Sequence, residues 1–220
     1  MVDVLDRVEQ RRHRCAVYLD AGLAAAQPDL VRRITEYFHA RPDRVELVCP
    51  PVIVPGGEAV KTGWQTVRDV IWTLGNLHLD RQSFVLVVGG GAVLDMVGFA
   101  TSIVHRGLRL VRMPSTTLAQ ADAGIGVKNG MNEHGMKNFV GTFAPPFAVI
   151  NDLDLLVSLP FPHWIAGVAE AFKVALIKDA QLLDLLCTTA GALRSRNLHA
   201  MAEIVRRTAV LHAEHIARSG

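Results

Sequence analysis

The stretch FVLVVGGGAVLDMVG, residues 84–98, passes from an unbroken apolar run into three consecutive glycines and then into a segment of helical spacing. Glycine loses more conformational freedom on folding than any other residue, so three together at the end of a buried strand need a reason. Five apolar residues without alternation, FVLVV, describe a strand covered on both faces, as in a parallel sheet. At the C-terminal end of such a strand, backbone without Cβ atoms lets a pyrophosphate approach closely. The next helix then offers free N–H groups and the positive end of its dipole. The spacing GGGAVLD is not G-x-G-x-x-G, and for a single glycine a tight turn with positive φ would be the plainer explanation.

Working outward, short β-branched or apolar runs alternate with longer segments of helical period. CAVYLD (15–20), RVELVC (near 45–50), LRLVRMP (108–114) and FAVIND (147–152) read as further strands. PDLVRRITEYFHA (28–40), VKTGWQTVRDVIWTLGNL (60–77) and AVLDMVGFATSIVH (92–105) read as helices, with Pro28 in a first turn and an apolar stripe of Leu30, Val31, Ile34, Tyr37 and Phe38. The expected fold is an α/β region with a mostly parallel sheet and helices on both faces. From about Leu159 onward helical period continues without strand signals. The chain therefore divides near residue 157 into an α/β domain, 1–157, and the start of an all-helical domain, 158–220. A helical domain that short would struggle to bury a core of its own, so it is expected to be only partly present.

Composition narrows the function. Half of the 220 residues are hydrophobic, the formal net charge is +2, and mean hydropathy is +0.25. Neither a nucleic-acid partner nor a membrane surface has an electrostatic footprint here. No apolar run approaches the roughly 20 residues that span a bilayer. Cys15, Cys49 and Cys187 are scattered and odd in number, which reads as buried thiols in a reducing compartment, and the expected location is the cytoplasm.

Further blocks flank the glycines: VPGGEAVKTG (54–63), HRG (105–107), MPSTTLAQAD (113–122), GVKNGMN (126–132), MKNFVGTF (136–143) and LPFPHWIAGVAEAFKVALIKD (159–179). In this order and spacing, over roughly residues 15–180, the set resembles the dehydroquinate synthase superfamily of sugar phosphate cyclases. The resemblance implies that the first domain binds NAD⁺. Asp20 would lie near the adenosine, and Glu58 and Lys61 near ribose and nicotinamide. Gly89, Gly90, Gly91 and Asp95 would form the pyrophosphate and nicotinamide turn, and Ser115, Thr116 and Lys137 would complete the cofactor contacts. Arg106 resembles an arginine that reaches a phosphate across a homodimer interface. Asp122, Lys128, Asn138 and Lys173 resemble the polar set that holds substrate. Glu170 matches one ligand of a divalent metal, zinc or cobalt, whose two histidine ligands come later in family members; the chain as it stands is expected to be inactive.

The implied chemistry is that of a carbon–oxygen lyase: NAD⁺ oxidises a secondary alcohol transiently, phosphate is eliminated, hydride returns, and an aldol addition closes the ring. DAGIGVKNGMNEHGMKN (122–138) departs from the D-S-S-V-G-G-K-T-G-x-N of authentic 3-dehydroquinate synthases and looks more like the sedoheptulose 7-phosphate cyclases. LHAEH (211–215) resembles a segment where the synthases carry K-A-E, so His212 stands where a carboxylate-binding lysine would. The expected substrate is thus a phosphorylated seven-carbon sugar, with a lean to sedoheptulose 7-phosphate. The alternatives are 3-deoxy-arabino-heptulosonate 7-phosphate, a metal-dependent polyol or glycerol phosphate dehydrogenase, and a non-catalytic NAD-binding fragment. His212 and His215, three apart on an amphipathic helix, are expected to face solvent.

Overall fold

The computed structural model describes residues 1–7 and 11–219. Its contacts divide the chain into two units, residues 1–113 with 127–150, and residues 114–126 with 151–220.

The first unit is built on a six-stranded sheet. After a short helix α1 (Val2–Leu5), strand β1 (His13–Asp20) leads into α2 (Ala21–Ala26) and α3 (Leu30–His39). Then come β2 (Val45–Leu47), β3 (Val52–Val54), a 3₁₀ turn Glu58–Lys61, α4 (Gln65–Asn76), β4 (Phe84–Gly89), α5 (Gly91–Ile103) and β5 (Arg109–Pro114). The hairpin β6 (Lys128–Glu133) and β7 (Met136–Phe143) and the short β8 (Ala148–Val149) complete it. The sheet order is β2-β1-β4-β5-β8, with β3 also on β1. β1 runs parallel to β2, β3 and β4, and β5 runs parallel to β8. Helices cover both faces of this mostly parallel sheet, as expected. β4 is buried at all six positions, which is why its sequence shows no polar alternation.

Several boundaries differ from the sequence reading for identifiable reasons. Pro50 and Pro51 lack the N–H that a ladder needs, so the second strand stops at Leu47 and a separate β3 resumes the pairing on β1 at Tyr18–Asp20. Pro28 lies outside α3, whose N-cap is Asp29. Residues 60–64 belong to the 3₁₀ turn and a loop, and α4 begins at Gln65. The hairpin has no counterpart in the sequence reading. Its two-residue turn is His134-Gly135, with φ of 52° and 71°, the left-handed pair of a type I′ turn.

The second unit contains a π-helical turn Ala119–Ala123, a 3₁₀ turn Leu153–Leu156, and helices α6 (Phe161–Lys178), α7 (Ala180–Arg194) and α8 (Leu198–Ser219). The three helices pack around Trp164, Leu182, Leu186, Met201 and Ile204. Trp164 donates its indole N–H to the Leu193 carbonyl at 2.9 Å, so the bulky ring is buried without an orphaned donor. Segment 114–126 packs with these helices although the sequence reading left it in the first region. The reason is local. Thr117 Oγ1 bonds the carbonyls of His163 and Trp164, at 2.8 and 3.0 Å. A Cβ on Gly167 would sit 2.4 Å from the Thr117 side chain, so only glycine permits that approach.

Candidate functional site

In the first unit the expected cofactor residues gather at the C-terminal ends of β1 and β4. None of Gly89, Gly90 and Gly91 has positive φ. Gly90 is the N-cap of α5, with φ −74° and ψ 170° and no capping side chain. The first N–H groups of α5 therefore face outward without an internal acceptor. A Cβ on Gly89 would lie 3.0 Å from Val93 and 3.1 Å from the Asp20 Cβ. Gly89 thus answers a need for space, and none of the three answers a need for an unusual dihedral. Asp20 caps α2 by accepting from Gly22 N at 2.7 Å and Leu23 N at 3.1 Å, and a Cβ on Gly56 would meet its carboxylate at 2.7 Å.

Gly57, with φ 78°, turns the chain into the 3₁₀ turn carrying Glu58 and Lys61, a conformation that favours glycine. Lys61 is only 3% exposed. Its ammonium donates to Asp95 Oδ2 at 2.6 Å and to Asn138 Oδ1. Burial pushes the Asp95 carboxyl above its ordinary range, and the Lys61 ammonium and Arg112 guanidinium oppose that push. Asn138 itself has φ 55°, and its N–H donates to Asn132 Oδ1 at 2.9 Å. Asn132 in turn donates to Glu58 Oε1 at 2.9 Å, and Lys137 stands 3.9 Å from the same oxygen. One network thus joins Glu58, Lys61, Asp95, Asn132, Lys137 and Asn138 from four separate elements, the 3₁₀ turn, α5, β6 and β7. Asn132 was missed in sequence, although GVKNGMN carries it.

Below that network, Arg112 is fully buried and donates to Asn129 Oδ1 at 2.5 Å and to the Lys128 carbonyl at 3.3 Å. Gly98 makes room for Asn129, since a Cβ there would lie 2.0 Å from Oδ1. This anchors β6 against α5 and leaves the Lys128 side chain exposed. Arg106 is exposed at a turn where His105, Arg106 and Gly107 have φ of 52°, 66° and 119°. It stands apart from the network among the described residues.

The second unit holds the remaining candidates. Thr116 Oγ1 accepts the Ala119 N–H at 3.1 Å and starts the turn that carries Asp122, while Ser115 beside it is buried. The two therefore lie in a different unit from the other cofactor candidates. Glu170 and Lys173 form an ion pair along α6, and this bond to Glu170 raises the Lys173 pKa. His212 does not simply face solvent. Its side chain is 24% exposed and its Nδ1 lies 3.3 Å from Asp122 Oδ1. His215 is exposed. Among the described residues no group of three or more His, Cys, Asp or Glu side chains gathers as a metal site. Glu170 offers one coordination position and not a ligand set.

A family model described as 3-dehydroquinate synthase N-terminal matches residues 51–166, more than half of the chain. Among solved structures, the 2-epi-5-epi-valiolone synthase ValA of Streptomyces hygroscopicus subsp. jinggangensis 5008, with NAD⁺ and Zn²⁺ bound, superposes with a TM-score of 0.83 at 29% identity. That match covers 97% of this chain and 57% of ValA, so the chain spans little more than half of that relative's length. A 2-deoxy-scyllo-inosose synthase complexed with carbaglucose-6-phosphate, NAD⁺ and Co²⁺ matches at 27% identity and TM-score 0.62, over 77% of this chain and 45% of its own. An iron-containing alcohol dehydrogenase of Thermotoga maritima, at 14% identity and TM-score 0.69 over 94% of this chain and 62% of its own, shares the fold alone.

Proposed function

Because the chain belongs to the 3-dehydroquinate synthase family, we propose that it is the NAD-binding and substrate-gripping portion of a sugar phosphate cyclase. The observation that carries this reading is the network of Lys61, Asp95 and Asn138 beside the uncapped, glycine-lined N-terminus of α5. The cations and amides on the hairpin favour a phosphorylated polyol.

In this proposal residues 1–157 bind NAD⁺ and residues 158–220 begin the metal and substrate domain. Gly89, Gly90 and Gly91 with the first N–H groups of α5 receive the pyrophosphate. Asp20 and Glu58 accept hydrogen bonds from hydroxyls, and Ser115 and Thr116 add contacts. Lys61, pinned between Asp95 and Asn138, presents a fixed positive charge. NAD⁺ supplies a hydride acceptor that is restored within each turnover. Lys128, Lys137 and Arg106 are exposed cations suited to a phosphate, and Asp122 and Lys173 are suited to hydroxyls. A divalent metal, zinc or cobalt, would take Glu170 as one ligand. Among the described residues no set of three or more metal-binding side chains gathers with it.

The protein is proposed to work in the cytoplasm, in keeping with its three free cysteines, of which only Cys15 is buried as expected, while Cys49 is half-buried and Cys187 lies exposed on α7. Among the described residues no helix is long and apolar enough to cross a membrane. A homodimer is favoured by β7, an edge strand of a two-stranded sheet, where Phe139 and Phe143 are 53% and 81% exposed.

The proposed substrate is sedoheptulose 7-phosphate, on the strength of DAGIGVKN and of His212 in place of a lysine. The protein as the cell makes it, given NAD⁺ and zinc, should release inorganic phosphate from sedoheptulose 7-phosphate faster than from 3-deoxy-arabino-heptulosonate 7-phosphate. The reverse order would make it a 3-dehydroquinate synthase.

A further inference from the structure

Asn132 sits on β6 where the hairpin meets the loop after the 3₁₀ turn, and it is joined to Thr62 by an isolated parallel β-bridge. Both ends of its amide are used. Oδ1 accepts the backbone N–H of Asn138 at 2.9 Å, and Nδ2 donates to Glu58 Oε1 at 2.9 Å. A backbone N–H can only donate, and a carboxylate can only accept. Turning the amide over would set donor against donor and acceptor against acceptor, so its two partners fix its orientation. Aspartate has the same shape but would set a second carboxylate against Glu58, and leucine offers neither bond.

The two groups held in this way come from different elements. Glu58 also has Lys137 at 3.9 Å, but that pair joins two exposed side chains and fixes little in water. The Asn132 bond is the shorter and the directional one. Asn138 lies in the left-handed region at φ 55°, which asparagine tolerates better than most residues. Its N–H is anchored on Asn132, and its Oδ1 receives the ammonium of Lys61, which is itself bonded to Asp95. Glu58 Oε2 and Asn138 Nδ2 enter no hydrogen bond among the described residues. One amide thus stations an acceptor on the 3₁₀ turn and a donor on the hairpin.

We propose that Asn132 is a positioning residue for the cofactor. It touches Glu58 rather than NAD⁺, engages Oε1 so that Oε2 is left to accept a ribose hydroxyl, and pins Asn138 beside Lys61. The inference rests on the NAD⁺-binding reading, in which Glu58 receives that hydroxyl.

The test exchanges donor and acceptor. NAD⁺ affinity is measured by calorimetry on the protein as the cell makes it, with Asn132→Asp, Glu58→Gln and the two together. Asn132→Asp sets two carboxylates face to face and should weaken NAD⁺ about tenfold, the worth of a hydrogen bond to a charged group. Glu58→Gln keeps the bond from Asn132 but leaves an amide N–H where the ribose acceptor stood, so it too should cost about tenfold. In the double variant the new amide donates to the new carboxylate and again leaves an acceptor for the ribose. Affinity should then return to within about threefold of the wild type, whereas a purely structural role makes the two losses add. A double variant no tighter than the weaker single would overturn the inference and leave NAD⁺ binding standing. The hold on Asn138 is read separately, from hydrogen exchange of its amide. Asn132→Asp should keep the wild-type rate, and Asn132→Ala should exchange about tenfold faster. Equal rates in all three would overturn the pinning of Asn138. A wild type with no affinity for NAD⁺ would overturn the inference together with the reading beneath it.

Discussion

Gly90 has extended dihedrals that other residues adopt, so a side chain there brings no backbone strain. Gly90→Val should therefore keep the thermal midpoint while abolishing NAD⁺ binding by calorimetry. Unchanged affinity would remove the glycine turn from the proposed cofactor site. Lys61 presents the opposite case, a buried cation whose removal is felt by the fold. With Lys61→Met, Asp95 loses its ammonium partner inside a partly buried network, which costs about 3 kcal/mol by chemical denaturation. Asp95 is a carboxyl raised in the folded state, so the stability linked to it is complete below its unfolded pKa and is lost as pH rises through the folded one. The Lys61→Met penalty should accordingly be larger at neutral pH than at about pH 4. A penalty independent of pH would mean that Asp95 does not depend on Lys61 for its charge.

At the scale of elements, α7 is held at its start by one side chain. Asp179 caps it by accepting the Leu182 N–H at 3.0 Å, and Arg207 of α8 grips the same carboxylate through two bonds, at 2.9 and 3.0 Å. The Arg207 bond, and then the Leu182 N–H, hold the Asp179 carboxyl below its ordinary range. A depressed carboxyl adds stability that is present above its unfolded pKa and is lost as pH falls through the folded one. Asp179→Ala should lower the melting temperature by about 2–4 °C at neutral pH, and the gap to the wild type should close in acid. A gap that widens in acid would contradict the assignment.

The elements also explain what was legible in the sequence. β1, β4, β5 and the helices α3 to α5 carry apolar runs or helical stripes and are legible with errors at their ends, whereas α6, α7 and α8 are legible only as continuing helical period. The hairpin was not, because six of the eight β7 residues are exposed and β6 is buried only at Asn129, Gly130 and Met131. No alternation of apolar and polar residues marks either strand. Candidate residues were legible as motifs, but their partners were not. Nothing in the local sequence places Lys61 on Asn138, or His212 on Asp122, since those meetings depend on tertiary packing.

For the whole molecule, two units each carry a polar cluster: Lys61, Asp95 and Asn138 in the first, Asp122, His212, Glu170 and Lys173 in the second. Membership in the 3-dehydroquinate synthase family is established by residues 51–166. The proposed activity goes further, to a reaction that borrows a hydride and gives it back. The most direct measurement counts phosphate against NAD. The protein as the cell makes it is incubated with sedoheptulose 7-phosphate, zinc and substoichiometric NAD⁺, while inorganic phosphate and NADH are followed together. Cyclisation requires many phosphates released per NAD⁺ supplied, with no net NADH. Accumulation of NADH up to the amount of NAD⁺ added, with no phosphate released, would contradict it and identify a dehydrogenase.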